Sequence, residues 1–153
     1  MRAERRTGGG SIWAATPLLV LPVLLYNGAV LATVEGGFDG PGAAERLAEP
    51  MFSVPMASGA LWTLGFGDLL VIAALAVLFV ELLKSTSSRG AAVVNHGLSM
   101  ALFILCLIEF LLLRAFATSS FFLILLMVLL DVLAGFIVSI TSARRDFGVH
   151  GAE

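Results

Sequence analysis

The stretch FFLILLMVLLDVLAGFIVSIT, residues 121–141, decides the fold class because it is long, apolar and almost free of charge. As a helix rising 1.5 Å per residue it would be about 32 Å long, enough to cross the hydrocarbon core of a bilayer. Asp131 is its one ionisable residue. We therefore predict a transmembrane helix here, with a polar group near its middle.

The rest of the chain is similarly apolar. It has 153 residues, of which 59% are hydrophobic and 13% charged, and its mean hydropathy is +1.01. A soluble domain is about half apolar and about a quarter charged. We therefore predict an all-α polytopic membrane protein, a bundle of four transmembrane helices. The predicted segments are a tail 1–11, a membrane domain 12–142 with spans 12–34, 61–83, 91–113 and 121–141, a loop 35–60, and a tail 143–153.

The first apolar run has two interpretations. A basic start and small residues at Val30 and Ala32 are features of a cleaved signal peptide. However, about 23 apolar residues run without a break, which is longer than the apolar core of a signal peptide. We favour a retained helix kinked at Pro22, and cleavage stays the alternative.

Basic residues predict the orientation. With the N-terminus inside, the tails and the turn after the second span hold seven of them and the outside loops hold two. This bias follows the positive-inside rule and predicts that both termini are cytoplasmic. The seven are Arg2, Arg5, Arg6, Lys84, Arg89, Arg144 and Arg145, and the two are Arg46 and Arg114.

The loop 35–60 contains two local patterns. Residues 43–49 could form a helical turn or two, between glycines and prolines that break regular structure. Phe52, Val54 and Met56 alternate with smaller or polar residues, which predicts a short extended stretch at the membrane surface. Trp62 is expected at the interface, where its amphipathic ring is favoured.

Polar residues inside the spans are the candidate functional groups, because ionisable residues are costly in a membrane and usually face protein or water. In an antiparallel hairpin of spans two and three, Glu81 lies level with His96, and Asp68 lies level with Glu109. Helical rotation of about 220° over thirteen residues means that at most one of these pairs is direct. The candidates are Asp68, Glu81, His96, Glu109 and Asp131, with Asn27 and Asn95 beside them.

Two polar stripes are predicted from helical periodicity. At about 100° per residue, five positions of span three fall within an arc of about 80°. Span four has a stripe of small and polar residues, which suits close helix contacts. Both stripes should face other helices or a wet cavity. The first is Asn95, Ser99, Leu102, Cys106 and Glu109, and the second is Asp131, Gly135, Ser139 and Ser142.

Each candidate also has a structural interpretation. Asp68 could be the N-cap of a helix that begins at Leu69. Glu81 could reach the surface or pair with Lys84, and His96 could be a hydrogen-bonded interface residue. Arg114 is expected to anchor the interface or to pair with Glu109. Asp131 and Glu109 could each be a neutral, hydrogen-bonded helix contact or a proton carrier.

Several kinds of chemistry are not expected. Only His96 lies in a span, so one chain cannot supply two haem ligands, and no phosphate-binding glycine loop, zinc motif or nucleophile elbow is present. The single cysteine, Cys106, lies in an apolar run and is expected to be a packing residue. We expect no metal, no cofactor and no nucleic-acid partner, and nothing in the sequence favours an enzyme.

A set of residues after the first span resembles the sequence pattern of a known protein family. Over about residues 50–148 the chain resembles a family of small, uncharacterised proteobacterial inner-membrane proteins, which implies a bacterial inner-membrane location and no activity. In that pattern an aspartate precedes the histidine, where this chain has Asn95. The residues are Ser58-Gly59, Trp62, Gly67-Asp68, Asn95-His96, Leu98-Ser99, Glu109-Phe110-Leu111, Ala117-Thr118-Ser119, Phe121-Phe122, Asp131, Ala134-Gly135-Phe136 and Ala143-Arg144-Arg145-Asp146-Phe147.

The sequence therefore supports three functional hypotheses. The first is a non-enzymatic accessory or assembly component, whose partners are the lipid bilayer and other membrane subunits or copies of itself. The second is a small oligomeric proton or cation pathway through Asp131, Glu109 and Asn95. The third, with less support, is a membrane enzyme acting on lipid or quinone near Asp68 and Trp62.

Overall fold

A computed structural model gives the fold, and it describes residues 16–85 and 92–149. The fold is a helical bundle with a small two-stranded sheet at one end. The helices are α1 (Val20–Thr33), α2 (Ala43–Leu47), α3 (Phe66–Ser85), α4 (Ala92–Leu112) and α5 (Ser119–Val149), the strands are β1 (Pro50–Pro55) and β2 (Leu61–Gly65), and 3-10 turns lie at Gly37–Asp39 and Arg114–Phe116.

Among the described residues, three helices are long and apolar enough to cross a membrane. These segments are Phe66–Lys84, Val94–Leu112 and Ser119–Val138, so the prediction of membrane helices is confirmed for the last three apolar runs. The first run contains the shorter apolar helix Val20–Thr33. At 1.5 Å per residue α1 is about 21 Å long, shorter than a hydrocarbon core of about 30 Å. Residues 12–15 of the predicted span lie outside the described residues.

Two helices have bounds that differ from those of the predicted spans. The second span was predicted to begin at residue 61, but residues 61–65 form β2 and α3 begins at Phe66. Trp, Thr and Leu side chains suit a half-exposed strand, and Gly65 is a poor helix former. The fourth span was predicted to end near residue 141, and the segment that can cross a membrane is Ser119–Val138. The helix α5 itself continues to Val149, through most of the predicted tail, where Ala and Arg are favourable helix residues.

Helix α5 is the centre of the bundle. It contacts α4 and α3 more extensively than any other pair of helices contact each other. Its buried residues recur every three or four positions, as one face of a helix requires. Among the side chains that the structure describes they are Phe121, Ile124, Leu125, Met127, Val128, Asp131 and Val132, all no more than 8% exposed.

An aromatic cluster closes the end of the bundle that carries the sheet, here called the hairpin end. Tyr26 of α1 lies 4.7 Å from Phe121 and 5.5 Å from Phe116, measured between ring centroids. Its hydroxyl also donates to the backbone oxygen of Ala115 at 3.1 Å and shares a hydrogen bond with the Thr118 hydroxyl. This cluster holds the connection between α4 and α5 against α1.

The sheet is an antiparallel hairpin. β1 pairs with β2 so that Val54 lies opposite Trp62 and Phe52 lies opposite Leu64. Gly59 in the connecting turn has φ +82°, a conformation that favours glycine. The predicted extended stretch is confirmed by β1, and the helical turn predicted within residues 43–49 is confirmed by α2.

Candidate functional site

A fully buried carboxylate lies near the end of the bundle opposite the hairpin. Glu81 of α3 is 0% exposed. Its Oε1 accepts from Asn95 Nδ2 at 2.7 Å, and its Oε2 accepts from the backbone N–H of Leu18 at 2.9 Å. Lys84 Nζ lies 2.8 Å from Oε1 and 3.0 Å from Oε2. Three parts of the chain therefore supply donors to one charge, which is what burial of a charge requires.

Lys84 links the same carboxylate to the start of the described chain. Its Nζ donates to the backbone oxygen of Thr16 at 2.6 Å and lies 3.4 Å from Asn95 Oδ1. The predicted Glu81–Lys84 pairing is therefore present in the structure. The alternative prediction, that Glu81 reaches the surface, was wrong because its side chain has no exposed area.

A second buried carboxylate joins α4 to α5. Ser99 Oγ donates to Asp131 Oδ2 at 2.6 Å, and the two residues are 1% and 4% exposed. Ser99 follows Asn95 by one helical turn, so both clusters use the same face of α4. We call Glu81, Lys84, Asn95, Ser99 and Asp131 the internal polar network.

His96 does not behave as predicted. Its Nδ1 is buried and has no hydrogen-bond partner among the residues that the structure describes. The Glu81–His96 pair, one of the two that equal depth suggested, is not direct, because His96 is rotated by about 100° from Asn95, which faces Glu81 instead. The imidazole packs over Gly135 of α5, and its centroid lies 6.4 Å from that of the Phe136 ring.

Glu109 lines a groove between α1 and α4. The groove has a volume of about 470 Å³, and apart from Thr16, Asn27 and Glu109 its lining residues are apolar. Among the described residues, the carboxylate makes a single hydrogen bond, from Asn27 Nδ2 to Oε2 at 3.5 Å. Glu109 is 9% exposed. The carboxyl group is therefore largely removed from water and has little hydrogen bonding among the described residues.

Asp68 has a local role. Its Oδ2 accepts from the backbone N–H of Gly65 at 2.9 Å, in the first turn of α3. The predicted capping of this helix is therefore present, but from inside the first turn and not as the N-cap of a helix beginning at Leu69. Of the two pairs that equal depth suggested, Asp68–Glu109 is also not direct among the described residues, since Asp68 binds the Gly65 N–H and Glu109 binds Asn27. Arg114 is exposed, and no ion pair joins it to Glu109 in the described part of the chain.

The stripe predicted on the third span is buried in the structure. Its five residues are between 0% and 9% exposed, and they are Asn95, Ser99, Leu102, Cys106 and Glu109. On α5, Asp131 and Gly135 face α4. The side chains of Ser139 and Ser142, predicted for the same stripe, lie outside the described residues.

Two backbone groups of the site could not be found from the sequence. The N–H of Leu18 and the carbonyl of Thr16 bind Glu81 and Lys84. Any residue carries these groups, so no pattern of side chains marks them. Pro17 between them was the nearest signal, since it restricts the chain at the start of the helix.

The chemistry available to the site is that of hydrogen-bonded carboxylates. In residues 16–85 and 92–149, no three His, Cys, Asp or Glu side chains are grouped so that they could hold a metal ion. Between Ser99 and Glu109 the inner face of α4 carries only Leu102 and Cys106, which are buried. This apolar section is about 15 Å long at 1.5 Å per residue. Comparison with family models, with curated proteins and with solved structures found no match for this chain.

Proposed function

We propose that the chain is a non-enzymatic, four-span protein of a bacterial inner membrane, with both termini in the cytoplasm. In this proposal it acts as an accessory or assembly subunit of a larger membrane complex, or as a homo-oligomer. The observation that supports it best is the position of Glu109. Its carboxylate lines an apolar groove that is open to the side of the bundle.

The argument rests on the cost of an incompletely paired carboxylate in a membrane. A polar group within a span normally faces protein or water, and Asn27 supplies a single hydrogen bond of 3.5 Å. A transmembrane helix with a donor side chain would fill the groove and complete the hydrogen bonding of Glu109. Interhelical hydrogen bonds of this kind contribute about 1–2 kcal/mol.

The internal polar network supports a structural role for the other carboxylates. Glu81 accepts hydrogen bonds from a side-chain amide, an ammonium group and a backbone N–H. Asp131 accepts from Ser99. These contacts connect α3, α4, α5 and the residues before α1, so they fix the bundle that a partner would bind.

A proton or cation pathway is the second candidate, because Asp131 and Glu109 are buried carboxylates on the predicted stripes. The apolar section of α4 between them favours the accessory role, since a proton relay needs polar groups or water along its path. A membrane enzyme near Asp68 has less support, because one oxygen of that carboxylate is used by the Gly65 N–H.

Purification in native nanodiscs, followed by mass spectrometry, tests the proposal. We expect a stoichiometric assembly with the native chain and about tenfold lower recovery with Glu109→Leu, the change in binding for a loss of about 1.4 kcal/mol. Glu45→Leu removes an exposed carboxylate outside the groove and is the matched control. A monomeric native chain without partners would contradict the proposal, and proton flux abolished by Asp131→Asn would favour the pathway.

A further inference from the structure

The hairpin is an uncharged segment with large apolar side chains on its surface. No Asp, Glu, Lys or Arg occurs between Pro50 and Gly67. Every residue of β1 is exposed, and Phe52, Val54 and Trp62 are 49%, 42% and 50% exposed. Such a segment differs from the charged surface that normally faces water.

The strand register separates the hairpin into two faces. Because side chains alternate along a strand, Phe52 and Val54 lie on the same face as Trp62, which is opposite Val54. The other face contains Ser53 and Thr63, whose hydroxyls share a hydrogen bond of 3.1 Å. One face is therefore apolar, and the other has a polar centre next to the Pro55–Leu61 pair, where Leu61 is 69% exposed.

The apolar face of the hairpin has to be shielded from water by another surface. An isolated two-stranded hairpin is marginally stable in water and requires packing against another surface. Within β1 and β2, the bundle buries only Leu64 and Gly65, at the base of the hairpin. Contiguous exposed apolar patches of this kind mark sites of membrane or protein interaction.

The position of Trp62 indicates what packs against the apolar face of the hairpin. It lines a crevice of about 360 Å³ whose apolar residues include Val71 and Ile72 of α3 and Leu123 of α5, and whose polar residues are Thr63, Asp68, Ser119 and Ser120. Ile72 and Leu123 are 50% and 42% exposed, and both lie within segments that can cross a membrane. The apolar face of the hairpin thus continues the lipid-facing surface of two spans. β2 also joins α3 directly at Phe66, which keeps the hairpin beside the end of a span.

We propose that the hairpin is a lipid-binding element, with the face formed by Phe52, Val54 and Trp62 inserted into the boundary between headgroups and acyl chains. Amphipathic elements of this kind bury their apolar face about 5–10 Å into that boundary. The Ser53–Thr63 face then points toward headgroups and water. Because the hairpin has no charge, burial of apolar surface drives insertion, and it requires no anionic lipid.

The inference is independent of the proposed function, since it concerns the lipid surface and not a protein partner. Trp62 is itself the probe: the sequence has two tryptophans, Trp13 and Trp62, so Trp13→Phe leaves one. This full-length variant is reconstituted in phosphatidylcholine vesicles whose acyl chains carry bromine at defined depths. We expect a loss of about half of the Trp62 emission, greatest for the shallowest bromines, as an interfacial indole predicts.

Matched variants in the same background separate the two faces. Phe52→Ser should reduce the quenching by about twofold, because it removes apolar area from the inserted face, whereas Ser53→Ala on the opposite face should leave it unchanged. Adding phosphatidylglycerol or salt should change neither result. Emission typical of water and insensitive to brominated lipid would overturn the proposal. Emission shielded from both lipid bromine and aqueous iodide would also overturn it, in favour of a protein cover.

Discussion

The Nδ2 atom of Asn95 on α4 donates a hydrogen bond to the Oε1 atom of Glu81 on α3 at a distance of 2.7 Å. This bond connects two helices that each contact α5 more extensively than they contact each other. A buried charge is costly unless it is paired and fully hydrogen-bonded. Glu81 satisfies that condition only while Lys84, Asn95 and the Leu18 N–H remain in place.

The first prediction concerns Lys84. Lys84→Met removes the ammonium group but keeps most of the apolar stem, and it takes from the fully buried Glu81 its one counter-charge among the described residues. We expect the free energy of unfolding to fall by about 3–5 kcal/mol, the usual cost of breaking a buried ion pair. Unfolding in mixed micelles, titrated with a denaturing detergent, measures the change. Adding Glu81→Gln should restore much of the loss, because the unpaired charge is then gone.

The matched control is an exposed ion pair on the same chain. Arg46 and Glu49 lie 3.0 Å apart, with side chains 52% and 63% exposed. Arg46→Met should change the stability by less than about 1 kcal/mol, because solvent screens exposed pairs. Equal effects of Lys84→Met and Arg46→Met would show that the internal polar network does not stabilise the bundle.

The features that depend on helical periodicity and on apolar length could be predicted from the sequence. The 3.6-residue repeat placed Asn95, Ser99 and Glu109 on one inward stripe, and all three are buried. Apolar length likewise predicted the last three membrane helices. These features depend on a single helix and its contrast with lipid, so they require no knowledge of its neighbours.

The sequence could not predict which polar side chains pair with each other, because the pairing depends on helix rotation and on which helices are in contact. Equal depth suggested that Glu81 pairs with His96, but the adjacent Asn95 is the residue that reaches it. The prediction also considered only the antiparallel pair of helices in spans two and three. It left out α5, which lies at the centre of the bundle. As a result, Ser99 as the partner of Asp131 could not be predicted from either stripe alone.

The second prediction concerns whether Asp131 must be able to ionise for the protein to fold and assemble. Asn in its place offers a carbonyl oxygen to the Ser99 hydroxyl, so Asp131→Asn should retain both the fold and the assembly of the protein. Asp131→Leu leaves Ser99 Oγ buried without its acceptor, and we expect a loss of about 1–3 kcal/mol. Detergent unfolding and size-exclusion chromatography measure the two effects. A variant Asp131→Asn that assembles normally but loses an ion-transport activity would instead indicate a proton carrier.

The third prediction concerns the hydroxyl of Tyr26, which binds the connection between α4 and α5. Tyr26→Phe retains the ring contacts with Phe116 and Phe121 and removes the hydrogen bonds to Ala115 and Thr118. We expect a loss of about 1–3 kcal/mol, because the buried Thr118 hydroxyl and Ala115 carbonyl lose a partner.

A double-mutant cycle with Thr118→Val isolates the hydroxyl contact from the ring contacts. Coupling between the two changes of about 0.5 kcal/mol or more would indicate a direct interaction. Strictly additive losses would contradict it. Thermal unfolding in one detergent at one protein concentration provides the comparison, since each variant differs by a single hydroxyl or methyl group.

The fourth prediction uses two glycines to test how α4 and α5 approach each other. A Cβ at Gly135 would lie 2.6 Å from His96 Nδ1 and 3.2 Å from its Cγ, whereas a Cβ at Gly97 would meet no atom within 4 Å. Gly135→Ala should therefore cost about 1–3 kcal/mol through overpacking. Gly97→Ala should stabilise α4 by up to about 1 kcal/mol, because alanine is the better helix former. His96→Ala should relieve the cost of Gly135→Ala, since the clashing ring is removed. If the Gly135→Ala penalty persists without the imidazole, His96 does not pack over Gly135 as the structure has it.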